Sequence, residues 1–327
     1  MKAIQFTEYG EPEVLKLVEI EKPTPSGREV LIEIKSIGVN YADTARREGQ
    51  YVVPTPLPFV PGAEVAGIVI ETGKDVKNVE KGMRVTALIG SKNATGYAEY
   101  TVTDERSVIP IPDELDFNTA AAFPLQALSA YHILKTMGRL DQGESVLIHA
   151  AAGGVGSIAV QLARLFGAGK IIATASSEEK LKLAKSLGAD VLVNYTKDNW
   201  EKVVKESTGG KGVDVALEMA GGDIFNKTLD CMAPFGRLVI YGVASGEQSR
   251  LTPSLLMGKN LTVSGFFLPQ IMTKPELFQQ SLNELTGYLT EGRLKLKIGG
   301  VYPLEEAAEV HRKLQGRKTQ GKLILVP

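Results

Sequence analysis

A strand that runs into a glycine-rich turn and then into a helix constrains this chain more than any other feature. Val146-Leu147-Ile148 is apolar, His149 to Gly156 is built almost wholly of small residues, and Ser157 to Phe166 has helical periodicity. Set against the pattern G-x-G-x-x-G, Ala151 takes the first place, Gly153 the second and Gly156 the third. Gly153 lets the backbone approach a pyrophosphate and Gly156 lets the helix pack close to the sheet. The helix N-terminus, through Gly154 and Val155, offers N–H groups and the positive end of its dipole. Ala151, Gly153, Gly154, Val155 and Gly156 therefore read as a dinucleotide-binding turn.

The end of the following strand bears on which dinucleotide. Folds that select NAD place an acid about twenty residues on, where it holds the ribose 2′-hydroxyl. Here the segment is Ile171-Ile172-Ala173-Thr174-Ala175-Ser176-Ser177-Glu178-Glu179-Lys180, with Ala175 in the acidic slot. Ser176 can hydrogen-bond a 2′-phosphate and Lys180 can reach it as a point charge. NADPH is the expected cofactor. The competing reading makes Lys180 a solvated lysine on a helix opened by Glu178 and Glu179.

At 327 residues the chain is long enough for about two domains. Before about Pro112 it shows short strands between turns: Glu29 to Ile34, Glu64 to Glu71, Arg84 to Leu88 and Ala98 to Val102. Pro54, Pro56, Pro58 and Pro61 mark a loop, ordered because Phe59 and Val60 ask for packing. From Ser145 onward apolar strands alternate with amphipathic helices, the pattern of βαβ units on a parallel sheet. The strands are Ser145 to His149, Lys170 to Thr174, Val191 to Val193, Val213 to Leu217, Arg237 to Tyr241 and Leu261 to Phe266, enough for a doubly wound sheet. Helices over Lys274 to Glu291 and Leu304 to Leu314 precede a surplus strand, Lys322 to Val326, which returns to complete the first domain and leaves a cleft between the two.

The formal net charge of -1 offers no field for nucleic acid or an anionic membrane. Cys231 is the single cysteine, which excludes an internal disulfide or a cysteine-cluster metal site and fits a reducing, cytoplasmic compartment. Met1 to Tyr9 alternates like a strand and lacks the apolar run of a secretory signal. The longest charge-free stretch, Ser145 to Ala163, is broken by Gly153, Gly154 and Gly156, so no membrane span is expected.

Several separated segments together resemble the medium-chain dehydrogenase/reductase superfamily, and within it the zeta-crystallin-like quinone oxidoreductases. They are Gly38-Val39-Asn40-Tyr41-Ala42-Asp43, Pro61-Gly62-Ala63-Glu64-Val65-Ala66-Gly67, His149 to Gly156, Val193-Asn194-Tyr195 and Thr319-Gln320-Gly321-Lys322. The resemblance implies an α/β chain: a GroES-like, mostly-β catalytic domain at 1–122, a Rossmann domain binding NADPH at 123–266, and a return segment at 267–327. It also implies that Asn40 and Asp43 lie at the nicotinamide end of the cleft, that Tyr51 borders the substrate pocket, that Tyr195 packs near the adenosine, and that Lys322 touches the cofactor. Asn40 and Tyr51 could then hydrogen-bond a developing oxyanion, or serve plainly as a helix cap and a packed loop aromatic.

Zinc-dependent alcohol dehydrogenases of this superfamily carry a cysteine where this chain has Asn40 and a histidine where it has Ala63. The cysteine-rich lobe is also missing from Leu88 to Tyr97. The resemblance therefore implies a zinc-free protein, and without a Lewis acid alcohol oxidation gives way to reduction of an acceptor already electron-poor. A quinone is the first expectation; a 2-alkenal or enoyl thioester, or cofactor binding without catalysis, are the alternatives. Ala45 stands where some members have a pocket tyrosine. The apolar segment Leu261 to Phe267 implies a homodimer paired at the sheet edge.

Overall fold

In a computed structural model, residues 1–90 and 95–327 are described. Residues 91–94 of the stretch Leu88 to Tyr97 lie outside the described residues. The chain forms two compact units, Gln126–Lys295 and Met1–Leu125 with Leu296–Pro327.

The first of these is built on a six-stranded parallel sheet. Across the sheet the order is Val191–Asn194, Lys170–Ala175, Ser145–Ile148, Val213–Glu218, Met232–Ile240 and Thr262–Gly265, or 3-2-1-4-5-6 in chain order. That is the doubly wound arrangement, with the chain reversing its direction of travel beside Ser145–Ile148. The central strands are apolar throughout because both faces are covered: Val146, Leu147, Ile148, Ile171, Ile172, Val215 and Leu217 are all buried. All six expected strands form, and the fifth begins earlier, at Met232. The helix Gly154–Leu165 is buried on all sides from Gly156 to Ala163, as its largely apolar and small-residue sequence allows.

One expected boundary moves. The resemblance puts the helix Pro275–Thr290 in a return segment beginning at 267, whereas the unit that contains this helix runs to Lys295. The helix belongs to the parallel-sheet unit through polar pairings that hydropathy does not reveal. Ser281 Oγ lies 3.0 Å from His132 Nε2, and Glu284 accepts from Tyr131 Oη at 2.7 Å and from Lys135 Nζ at 3.0 Å.

The other unit is centred on the long strand Glu29–Gly38, which pairs with Glu64–Thr72, Tyr100–Asp104 and Lys322–Val326, all antiparallel. The surplus C-terminal strand thus does complete this sheet, with Ile324 opposite Gly38 and Leu325 opposite Ile37. A further strand, Ile298–Pro303, lies parallel to it. Sequence patterning hid that strand because Gly299, Gly300 and Pro303 lower its β-propensity. The proline-rich segment is a loop anchored at Phe59, whose backbone bonds Phe6 in both directions, and Phe59 and Val60 are buried.

Two tests follow from the parallel-sheet unit, which contains the chain's one tryptophan, Trp200, in its core. Phe225, 2% exposed in the same cluster, leaves a large cavity when truncated. Phe225→Ala should cost about 3–5 kcal/mol, read from the urea midpoint of Trp200 emission; a loss well under 1 kcal/mol would mean that the cluster is not close-packed. Burial holds the imidazoles of His132 and His149 down at about 4, against about 6.5 in an unfolded chain. Their contribution to stability is therefore complete above about pH 6.5 and is lost as the pH falls toward about 4. The Trp200 midpoint should drop over that interval, and His149→Gln should flatten the dependence; a midpoint indifferent to pH in the native chain contradicts it.

Candidate active site

The dinucleotide turn leaves the sheet at Ile148. Ala150 takes a left-handed conformation, φ 48°, and its carbonyl accepts the Gly153 N–H at 2.8 Å, closing the turn. Gly153 is the N-cap of the helix Gly154–Leu165, and no side chain caps it. Its first N–H groups therefore have neither a helical partner nor a capping oxygen, which suits an anion. A Cβ on Gly156 would come within 2.3 Å of the Ala150 carbonyl oxygen, so only glycine allows the helix this close to the turn. A Cβ on Gly153 would meet only the same oxygen, at 3.2 Å, which leaves the cradle open for a pyrophosphate. Gly154 lies flush against the Gln126 amide, a neighbour that sequence reasoning missed.

His149 fixes the base of the turn. The Thr228 hydroxyl donates to the Ile224 carbonyl at 2.6 Å, so it accepts from His149 Nε2 at 2.8 Å. His149 Nδ1 then accepts from the Thr174 hydroxyl at 2.9 Å. A neutral imidazole supplies one donor and one acceptor, as this arrangement demands.

The neighbouring strand Lys170–Ala175 ends on Ala175, which is buried. Ser176 follows, half-buried, and Ser177 caps the helix Glu178–Ser186 by accepting the Lys180 N–H. The Lys180 side chain, half-buried, springs from that first turn. Tyr195 follows the next strand outward, and its N–H bonds the Ala175 carbonyl at 3.3 Å. Ala151 to Gly156, Ser176, Lys180 and Tyr195 thus gather at the carboxyl ends of three adjacent strands, with no acid in the slot filled by Ala175.

Asn40, Asp43, Tyr51 and Lys322 belong to the other unit. Asn40 is the N-cap of the helix Tyr41–Arg47, and its N–H donates to Asp43 Oδ2 at 2.8 Å. Asp43 Oδ1 accepts the Gly62 N–H at 3.2 Å, and Oδ2 also accepts from Tyr97 Oη at 3.4 Å. Burial raises the Asp43 carboxyl to about 6 against the pull of those N–H groups and of the Lys322 charge. With its oxygens bonded inside the protein, Asp43 shapes the helix entrance rather than presenting itself to a ligand.

Lys322 departs most from expectation. It is 2% exposed, and its ammonium donates to Asn40 Oδ1 and to Glu64 Oε2, both at 2.6 Å. Glu64 is fully buried, and its Oε1 accepts the Leu125 N–H at 2.6 Å. Asn40 Nδ2 donates to the Gly38 carbonyl at 3.0 Å. Gly38 is required here, since a Cβ would come 2.6 Å from Glu64 Oε2 and 2.7 Å from Lys322 Cε. Lys322, expected to touch the cofactor, is engaged with Glu64 and Asn40, and the Asn40 amide is locked in one orientation.

Tyr51 lies on the loop after that helix, half-buried, beneath the Arg46 guanidinium, whose central carbon is 4.3 Å from the ring centroid. Burial raises the phenol's pKa, and the Arg46 charge opposes it. Arg46 reads in sequence as an ordinary helix charge, and no signal there marked it.

Known proteins share both units. Residues 26–113 match the alcohol dehydrogenase GroES-like domain, and 154–286 match the zinc-binding dehydrogenase domain. Quinone oxidoreductase of Pseudomonas aeruginosa is 38% identical over 100% of this chain and 99% of its own length. The chain belongs to the quinone oxidoreductase family. The human quinone oxidoreductase is 36% identical over 100% of this chain and 98% of its own. The crystal structure of Escherichia coli quinone oxidoreductase complexed with NADPH superposes with a TM-score of 0.95 at 34% identity, covering 100% of both chains. Although one matching domain is described as zinc-binding, the described residues of this quinone oxidoreductase family member include no group of three His, Cys, Asp or Glu that could hold a metal ion.

The ion pair sets the prediction. Lys322→Met strands a buried carboxylate and should cost about 3–5 kcal/mol, measured by circular dichroism during denaturant unfolding. Adding Glu64→Leu should recover most of that loss; a double variant as unstable as the single would show that the charge on Glu64 is not what Lys322 offsets.

Proposed function

We propose that the chain is a zinc-independent, NADPH-dependent quinone reductase. The observation that carries this reading is full-length likeness to quinone oxidoreductases, joined to a dinucleotide turn whose neighbouring strand ends on Ala175 in place of an acid. When bound, NADPH supplies a hydride. The N–H groups of Gly154, Val155 and Gly156 hold the pyrophosphate at the helix N-terminus, with Ala151 and Gly153 giving room for its approach. Ser176 and Lys180 hold the 2′-phosphate, and Tyr195 packs against the adenosine.

In the other unit Asn40 and Asp43 shape the nicotinamide end, and Lys322 acts behind Asn40 by fixing its amide. Tyr51 borders the acceptor and presents its phenol to the acceptor oxygen. Zinc independence is supported by the donor set: where zinc-dependent relatives have ligands, this chain has an amide bonded to an ammonium at Asn40 and a methyl at Ala63. A homodimer joined along Thr262–Gly265, the terminal strand of the six-stranded sheet, and residence in the reducing cytoplasm, in keeping with one buried cysteine, complete the reading.

NADPH oxidation should be faster with a quinone than with a 2-alkenal or an enoyl thioester; preference for either alkene class assigns the chain to alkene reduction, and binding of NADPH with no oxidation by any acceptor makes it a non-catalytic binder. Lys180→Ala should raise KM for NADPH about ten-fold, the loss of one charge-assisted hydrogen bond, and leave KM for NADH nearly unchanged. Equal effects on the two would remove Lys180 from the 2′-phosphate site. Stoichiometric zinc in purified protein would overturn the metal-free reading, and a monomer in sedimentation at micromolar concentration would overturn the dimer.

A further inference from the structure

Arg46 stands in the last turn of the helix Tyr41–Arg47 and is 3% exposed, so nearly all of its guanidinium has left water. It is held from several sides. Its central carbon lies 4.3 Å from the Tyr51 ring centroid and 5.2 Å from that of Phe59, and Nη1 donates to Thr55 Oγ1 at 3.2 Å. Those partners are themselves fixed. Phe59 is buried against Phe6, their ring centroids 5.6 Å apart, and the Thr55 carbonyl accepts from Tyr9 Oη at 2.7 Å.

The Tyr51 phenol thus has this cation for its immediate neighbour. Guanidinium has five donors and no acceptor. The phenol's proton therefore cannot be given to Arg46, and the cation beside the ring leaves it for another oxygen. We propose that Arg46 is a positioning residue that fixes Tyr51 as the hydrogen-bond and proton donor to the acceptor oxygen. The inference rests on the reading that Tyr51 borders the acceptor.

Reducing a quinone to its hydroquinone takes one hydride, from the nicotinamide cofactor, and one proton. In the proton step the Tyr51 O–H bond breaks, an O–H bond forms on the reduced acceptor oxygen, and the phenolate regains a proton from solvent. Arg46 acts on the state in between, because a phenolate formed in a half-buried loop is stabilised by a cation already stacked on its ring. The charged groups acting on this phenol are Arg46, which favours the phenolate, and Asp43, which disfavours it. The acceptor favoured is one whose reduced oxygen is basic enough to take a phenol's proton, as the hydroquinone monoanion is.

The test combines turnover with a measurement that needs neither cofactor nor acceptor. Arg46→Met should lower kcat with a benzoquinone about ten-fold or more, a part of the roughly 10²–10⁴-fold that a general acid contributes, with KM for NADPH unchanged. Arg46→Lys, which keeps the charge, should restore part of it. Ultraviolet titration of the free protein identifies the Tyr51 phenol as the transition absent from Tyr51→Phe, and Arg46→Met should move that transition to higher pH. The double variant should be no slower than Tyr51→Phe alone. Additive losses, an unmoved phenol transition, or full turnover in Tyr51→Phe each overturn the proposal. A native protein that oxidises no NADPH with quinone overturns the functional reading instead, and the phenol titration still decides whether Arg46 governs Tyr51.

Discussion

The unit that contains both termini depends on an ammonium and a carboxylate removed from water together. Lys322 and Glu64 are essentially unexposed, and taking two such charges into a protein interior is unfavourable unless their geometry is close and their remaining donors and acceptors are met. Here the requirement reaches into four pieces of chain. The C-terminal strand supplies the lysine, Glu64–Thr72 the carboxylate, Gly38 the missing side chain that makes room, and Leu125 the N–H for the second carboxylate oxygen. Asn40 is drawn into the same network and cannot rotate without breaking it. The orientation of a residue at the head of the helix Tyr41–Arg47 is thereby set by a residue 282 positions away.

That separation also marks where reading the sequence ends. The glycine turn was legible because its chemistry is local: strand, small residues and helix follow one another, and the backbone geometry each requires is written in consecutive positions. The six parallel strands were legible for a similar reason, since burial on both faces turns each into a short apolar run. The helix Pro275–Thr290 shows the limit, because periodicity identifies a buried face without saying what covers it. Ser281 and Glu284 answer that through His132, Tyr131 and Lys135. The resemblance put Lys322 at the cofactor, and nothing in the sequence marked Arg46. Whether such a side chain meets water or an interior partner is decided by tertiary contacts that no local pattern encodes.

Both lysine and arginine in this unit show the protein using fixed organic cations inside its fold. Lys322 is a compact charge, met by two oxygens and suited to holding an amide still. Arg46 is a flat, weakly hydrated one, suited to lying on aromatic rings and donating in a defined direction. Neither exchanges with solvent as a bound metal ion does, so the charge at this face is part of the covalent chain and is present whenever the chain is folded.

The imidazole under the glycine turn has a different kind of consequence. His149 bridges the hydroxyls of Thr174 on the neighbouring strand and Thr228 on a separate helix, so the backbone that follows it is braced before any ligand arrives. A loop that must be ordered by its ligand gives up part of the interaction energy to lost conformational freedom, whereas a braced one does not. Ser176 and Lys180, which follow the neighbouring strand, take no part in that brace. A turn braced from below keeps its backbone geometry when the side chains beyond it change.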